Sequence, residues 1–229
     1  MTYHTIHQGT FLARPNRFIA KVLLNGIEET VHVKNTGRCK ELLTPNATVF
    51  LEEATNPNRK TRFDLIAVYK EDLLVNLDSQ APNKIFREWA ESGAFRPSLS
   101  LLQGEKTFGN SRFDFYWEDE MGNKGFVEIK GVTLEEKGLA CFPDAPTLRG
   151  VKHIKELMEA KKQGFHGSIV FIVQMEGMKQ LSPNWKTHPE FGEALILAEK
   201  AGVEILAIDC FVTPNTLSPK EKVPVHIHP

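Results

Sequence analysis

The chain has 229 residues, 41% hydrophobic and 25% charged, enough for one large or two small globular domains with real cores. No apolar run reaches the roughly 18 residues of a membrane span, and the opening MTYHTIHQGT has neither the basic nor the apolar region of a secretory leader. A formal net charge of -1 argues against a broadly basic nucleic-acid binder, so any basic surface has to be local.

In the first third, RFIAKVLL, Asn25-Gly26 and IEETVHV read as a hairpin, because Asn-Gly supplies the positive φ angles of a tight type I′ turn. ATVFLEEA, TRFDLIAVYK and DLLVNLD add three strand-like runs. About five short strands in about 80 residues predict a small OB-like β-barrel. DSQAPNKIFREWAESG then reads as a helix that stops at Gly93, which puts a domain boundary near residue 80, between units 1–80 and 81–229.

Three consecutive strands follow, turning at Gly109-Asn110 and over 119–123. KGLACFPDAP reads as a loop leading to a helix over 147–163, N-capped by Thr147, with apolar Leu148, Val151, Ile154, Leu157 and Met158 near helical spacing. GSIVFIVQM predicts a strand covered on both faces, a helix over about 190–201 stops at Gly202, and VEILAID is another buried strand. The tail SPKEKVPVHIHP, with His226 and His228, reads as frayed. The three cysteines, Cys39, Cys141 and Cys210, are scattered and lack CxxC spacing, which points away from a disulfide framework or structural zinc and toward a reducing, cytoplasmic setting.

Strand alternation places Phe113, Phe115 and Trp117 on one face and Arg112, Asp114 and Tyr116 on the other. In GFVEIKG, Glu128 and Lys130 share a face, and a hairpin brings Asp114 and Glu128 onto adjacent strands, with Glu105 on the strand before. Two readings stand. One is a solvated cross-strand ion pair, worth under about 1 kcal/mol. The other is a metal site, since converging carboxylates repel and need a cation, and hard oxygen ligands suit Mg²⁺ or Mn²⁺. Such an ion polarises a phosphodiester, and Lys130 would orient water or stabilise developing charge.

GNSRFDF, FVEIKGVTL and CFPDAPTLRGVKHIKEL, with NTGRCKELL, VFIVQ and GVEILA, resemble the sugar fermentation stimulation protein (SfsA) family over most of the chain. The resemblance implies a mixed α/β fold: an N-terminal OB-like barrel followed by a PD-(D/E)XK nuclease-like αβββαβ domain. It also implies DNA as partner and a link to regulation of sugar catabolism. Carried over, it makes Asp114 and Glu128 metal ligands and Lys130 the catalytic lysine. The literal Pro143-Asp144 follows Glu-x-Lys instead of preceding it, so the first half of the nuclease signature is degenerate at Phe113-Asp114. Glu105 and Glu88 compete for a further acidic position, with Glu105 preferred because it belongs to the contiguous hairpin unit.

On the helix from Thr147, the stripe Arg149, His153, Glu156, with Lys152 beside it, lies away from the apolar positions. Arg149, Lys152 and His153, with Arg112 on the hairpin, are candidate phosphate contacts near a helix N-terminus, against the plain alternative of a solvated face. In the barrel, Arg38 and Lys40, near Arg14 and Arg17, form a small basic set, while Phe18, Phe50, Phe63 and Tyr69 read as core. Three functions remain: a metal-dependent nuclease-like DNA-binding protein, a DNA-binding regulator that does not cut, and a metal-dependent enzyme on a small phosphorylated metabolite.

Overall fold

The computed structural model describes residues 1–229. Six strands open the chain: β1 (Ile6–Asn16), β2 (Ile19–Leu24), β3 (Ile27–Val33), β4 (Thr48–Glu53), β5 (Phe63–Lys70) and β6 (Leu73–Asn76). β1, β2 and β3 form an antiparallel meander, β4 returns to pair with β1, and β5 pairs with β4. A parallel pairing of β3 with β5 closes the circuit into a five-stranded OB-like barrel. Asn25 and Gly26 take φ of 51° and 81°, as the tight turn between β2 and β3 requires.

The five barrel strands are not the five expected from sequence. β1 belongs to the closure, and β6 is an antiparallel extension outside it. β1 escapes a pattern reading because it bulges twice, between Phe11 and Ala13 and between Ala13 and Asn16, which erases its alternation.

The second unit runs α1 (Ala81–Glu91), β7 (Leu99–Phe108), β8 (Ser111–Asp119), β9 (Lys124–Val132), β10 (Leu134–Glu136), β11 (Leu139–Phe142), α2 (Leu148–Lys162), β12 (His166–Val173), β13 (Gln180–Pro183), α3 (Pro189–Lys200), β14 (Glu204–Val212) and β15 (Leu217–Lys222). Its main sheet has the order β15-β14-β12-β9-β8-β7, antiparallel from β7 to β9 and parallel from β9 through β12 to β14. The succession α1-β7-β8-β9-α2-β12 is the αβββαβ order expected from the sequence. α1 covers one face with Ile85, Phe86, Trp89 and Ala90, and Phe86 stacks on Phe115 at 4.9 Å between ring centres. Burying one such ring contributes about 1.5–3 kcal/mol. α2 and α3 cover the other face with Ile154, Leu157, Leu195 and Ala198. β12 is buried on both faces, its odd positions packing toward α2 and its even ones toward α1.

Two further expectations change. KGLACFPDAP is not all loop: β11 pairs with β10 and β13 in a small second sheet, after a turn in which Lys137 and Gly138 take φ of 53° and 81°. The tail is not frayed, since β15 pairs with β14 and Val223 and Ile227 are 5% and 4% exposed. The Lys- and Pro-rich run SPKEK looks like solvent-facing loop, yet that composition is how an edge strand is kept from pairing with other chains.

One apolar core runs from Val75 and Leu77 of the first unit to Phe171 and Met175 of the second. Gln174 fastens the junction: its carbonyl accepts the Asn76 N–H at 2.9 Å, and its amide donates to Asn76 Oδ1 and the Asp78 carbonyl, both at 3.0 Å.

Candidate metal centre

The β8–β9 ladder pairs Trp117 with Gly125, Tyr116 with Phe126 and Phe115 with Val127, then stops. One further step in this register sets Asp114 against Glu128. There the Asp114 side chain replaces a backbone acceptor, Oδ2 taking the Ile129 N–H at 2.8 Å. On its other side, β7 pairs Gly104 with Phe115 and Lys106 with Phe113, leaving Glu105 opposite Asp114 with φ of 56°. Alternation therefore breaks at Asp114. Phe113 packs into the core beneath α2, while Phe115 and Trp117 pack beneath α1, which corrects the expectation that all three share a face.

On β9, Val127 and Ile129 enter the α1-side core, and Glu128 and Lys130 face α2 with Phe126. Glu128 is 3% exposed. Its Oε1 accepts Lys130 Nζ at 2.6 Å and also His153 Nδ1. A carboxylate oxygen can only accept, so His153 Nδ1 donates to Glu128, and Arg149 Nε points to the other ring nitrogen at 3.4 Å. Burial acts to raise the Glu128 pKa, but His153 and Lys130 outweigh it and hold the carboxyl below its usual range. Asp114 goes the other way. Burial, then the Glu128 charge, push its carboxyl up, and the bonds from Ile129 and from Asn83 Nδ2 (3.0 Å to Oδ1) do not cancel this.

Glu128 Oε2 is buried and has no hydrogen-bond partner. An orphaned carboxylate oxygen beside a second carboxylate whose charge is disfavoured fits a hard divalent cation with further positions for water or phosphate oxygens. Asp114 and Glu128 are the residues able to hold it. The side chains of the other predicted acids have other partners: Glu105 is 69% exposed and reaches Arg112 at 3.5 Å, and Glu88 pairs with the Met1 amino group at 2.8 Å. No group of three His, Cys, Asp or Glu side chains is preassembled as a metal site.

On α2, Thr147 caps the helix as expected, Oγ1 accepting the Gly150 N–H at 3.1 Å. The two faces differ from expectation. Leu148 is 80% exposed, whereas His153 is 5% exposed and turns inward onto Glu128, so it is not placed to touch a phosphate. Gly150, His153, Leu157 and Ala160 form the inner stripe, and that spacing was the available signal for a buried histidine. Arg149 and Lys152 stay exposed, and Lys152 Nζ donates to the Asn110 carbonyl in the β7–β8 turn at 3.1 Å. Asn83 carried no sequence signal.

In the barrel, Arg17, Arg38 and Lys40 line a cavity of about 420 Å³. Arg14 lines it too but is occupied with the carbonyls of Arg17, Asn35, Gly37 and Arg38 at 2.6–2.9 Å. The Arg38 N–H donates to Asp144 Oδ2 at 3.0 Å, so the literal Pro-Asp of the sequence ties the barrel to the entry of α2. Phe18, expected in the core, is 44% exposed.

Residues 12–77 match the model of the SfsA N-terminal OB domain, and residues 80–216 match that of the sugar fermentation stimulation protein RE domain. A sugar fermentation stimulation protein homolog of Desulfitobacterium hafniense is 56% identical over 227 residues, covering 99% of both chains. One of Clostridium beijerinckii is 49% identical, over 98% of this chain and 99% of that one. The solved structure of Pyrococcus furiosus SfsA in complex with Ca²⁺ superposes with a TM-score of 0.89 at 28% identity, covering 99% of this chain and 98% of that one. The chain belongs to the sugar fermentation stimulation protein (SfsA) family.

Proposed function

We propose that this protein is a cytoplasmic, DNA-binding, metal-dependent phosphodiesterase, with the unit 1–80 binding the strand and the unit 81–229 carrying the chemistry. The observation that supports this most is the buried, unpartnered Glu128 Oε2 next to Asp114. Asp114 and Glu128 would hold one divalent ion, Mg²⁺ or Mn²⁺ in working conditions, and the P. furiosus relative was solved with Ca²⁺. When bound, such an ion polarises the phosphodiester and lowers the pKa of water.

The remaining parts are supplied by the chain. Lys130 Nζ, held at 2.6 Å from Glu128 Oε1, sets a positive charge beside the carboxylates and stabilises charge building up on the phosphate. His153 and Asn83 fix the two carboxylates, one from each helix. Arg149 and Lys152, exposed on the first two turns of α2, meet neighbouring phosphates with Arg112. Glu105, whose side chain is held by Arg112, would have to leave that partner to join Asp114 and Glu128.

The test is cleavage of labelled DNA with Mg²⁺, Mn²⁺ or EDTA, by wild type, Lys130→Ala and Glu128→Gln. Cleavage that needs metal and both side chains supports the reading. Equal cleavage by wild type and Lys130→Ala, or none under any condition, overturns it.

A further inference from the structure

The turn between β1 and β2 carries a ring that the barrel leaves uncovered. Phe18 is 44% exposed. Its backbone is nonetheless fixed, its N–H donating to Asn16 Oδ1 at 2.9 Å and its carbonyl accepting the Val33 N–H at 2.8 Å. The Arg17 guanidinium carbon lies 4.8 Å from the ring centre.

A cavity lies on each side of this pair. The one of about 420 Å³, lined by Arg17, Arg38 and Lys40, has no acidic residue in its wall. The other, of about 490 Å³, is lined by Phe18, His32, Lys34, Arg59 and Asp64. Its single acid is engaged, Arg59 donating to both Asp64 oxygens at 2.6 and 2.8 Å. Thr36 lines both cavities, so they adjoin. Phe18 comes from the β1–β2 connection and Arg59 from the β4–β5 connection, the two loops with which barrels of this topology meet oligonucleotides.

We infer that Phe18 is a stacking platform for an unpaired base of a single-stranded polynucleotide, whose phosphates lie along Arg17, Arg38 and Lys40. In a duplex the faces of internal bases are covered by their neighbours, so a fixed, solitary ring finds no face to stack on. A single strand offers one at every base, and the contact tolerates any sequence. The inference rests on the nucleic-acid reading above and names its substrate class. It also gives the strand a direction, since Arg38 is bound to Asp144, in the loop that enters α2, and His153 of that helix holds Glu128.

The test is fluorescence anisotropy of the full chain in EDTA, where metal-dependent cleavage cannot intrude, with labelled single-stranded DNA, single-stranded RNA and duplex DNA of equal length. Wild type is expected to prefer single strands, and the DNA and RNA arms decide the sugar. Phe18→Ala is expected to weaken single-strand binding about tenfold and leave duplex binding unchanged. Phe18→Trp is expected to retain the affinity, with its added indole emission quenched as the strand is titrated in, which a merely structural side chain would not produce. Arg38→Ala and Lys40→Ala each flatten the single-strand salt slope by about 0.7. Equal wild-type affinity for duplex and single strand, or wild-type affinity in Phe18→Ala, overturns the platform and leaves metal-dependent cleavage untouched. Absence of binding to every nucleic acid overturns both.

Discussion

The Asp114 carboxylate accepts the Ile129 N–H at 2.8 Å where the β8–β9 ladder ends, so one side chain both completes a sheet and faces Glu128. The two tasks separate by substitution. Asp114→Asn keeps an oxygen for the N–H and removes the charge, whereas Asp114→Ala leaves the N–H of a residue 6% exposed without a partner. Urea unfolding is expected to show Asp114→Ala destabilised by about 1–3 kcal/mol, with Asp114→Asn close to wild type. Calorimetric titration with Mn²⁺ is expected to show binding lost in both. Equal stability of the two variants would contradict the sheet-completing role.

His153 is expected to act through Glu128. With its Nδ1–H gone, Glu128 Oε1 retains only Lys130, and the carboxylate is free to turn. Losing a partner that orients a metal-holding carboxylate typically lowers metal affinity by about 10–100-fold, so His153→Ala should weaken Mn²⁺ binding by that factor. His153→Gln, which can still donate, should recover part of it. A variant with wild-type metal affinity would return His153 to a packing role.

Much of this arrangement follows from local rules that a sequence exposes. Asn25-Gly26 dictates its hairpin, Thr147 caps its helix, and the two-residue period of β9 puts Glu128 and Lys130 on one face. What stayed hidden depends on breaks in those rules. The bulges of β1 erase its pattern, and the interruption at Asp114 sends Phe113 and Phe115 to opposite cores. A histidine in a charged run reads as solvated surface, while Gly150, two turns before Leu157, marks the inner face on which His153 lies. Phe18 reads as core in RFIAKVLL because a sequence shows hydrophobicity but not which end of a strand lies in a turn.

Asp64 gives a pH dependence with a definite sign. Burial acts to raise its pKa, yet hydrogen bonds from Arg59 and His32, with the Lys34 charge nearby, hold it below the usual range. The folded state thus binds this proton less readily than the unfolded one. The stabilisation is fully present above the unfolded value of about 3.9 and is lost as pH falls through the depressed folded value. Asp114, with a raised carboxyl, works in the opposite sense, so whole-protein acid denaturation mixes the two. The difference between wild type and Asp64→Asn isolates the first. Their urea stabilities should converge as pH is lowered through about 4, and a gap that stays constant or widens on acidification would contradict the assignment.

The loop that carries Arg38 is expected to be coupled to the entry of α2 through Gly37. A Cβ at Gly37 would lie 2.7 Å from Asp144 Oδ2 and 2.9 Å from Asn35 Oδ1. Neither oxygen is free to move without loss, since Asp144 Oδ2 holds the Arg38 N–H at 3.0 Å and Asn35 Oδ1 holds the Gly37 N–H at 2.7 Å. Gly37→Ala should therefore cost about 1 kcal/mol or more by breaking one of these bonds. Asp144→Ala removes the nearer obstacle as well as its own bond, so the two substitutions share one loss. In a double-mutant cycle read by urea unfolding, Gly37→Ala should cost less in the Asp144→Ala background, with a coupling of about 0.5 kcal/mol or more. Additive costs would mean that the barrel loop and the α2 entry do not sense each other, and the path from the basic cavity to Glu128 would lose its physical link.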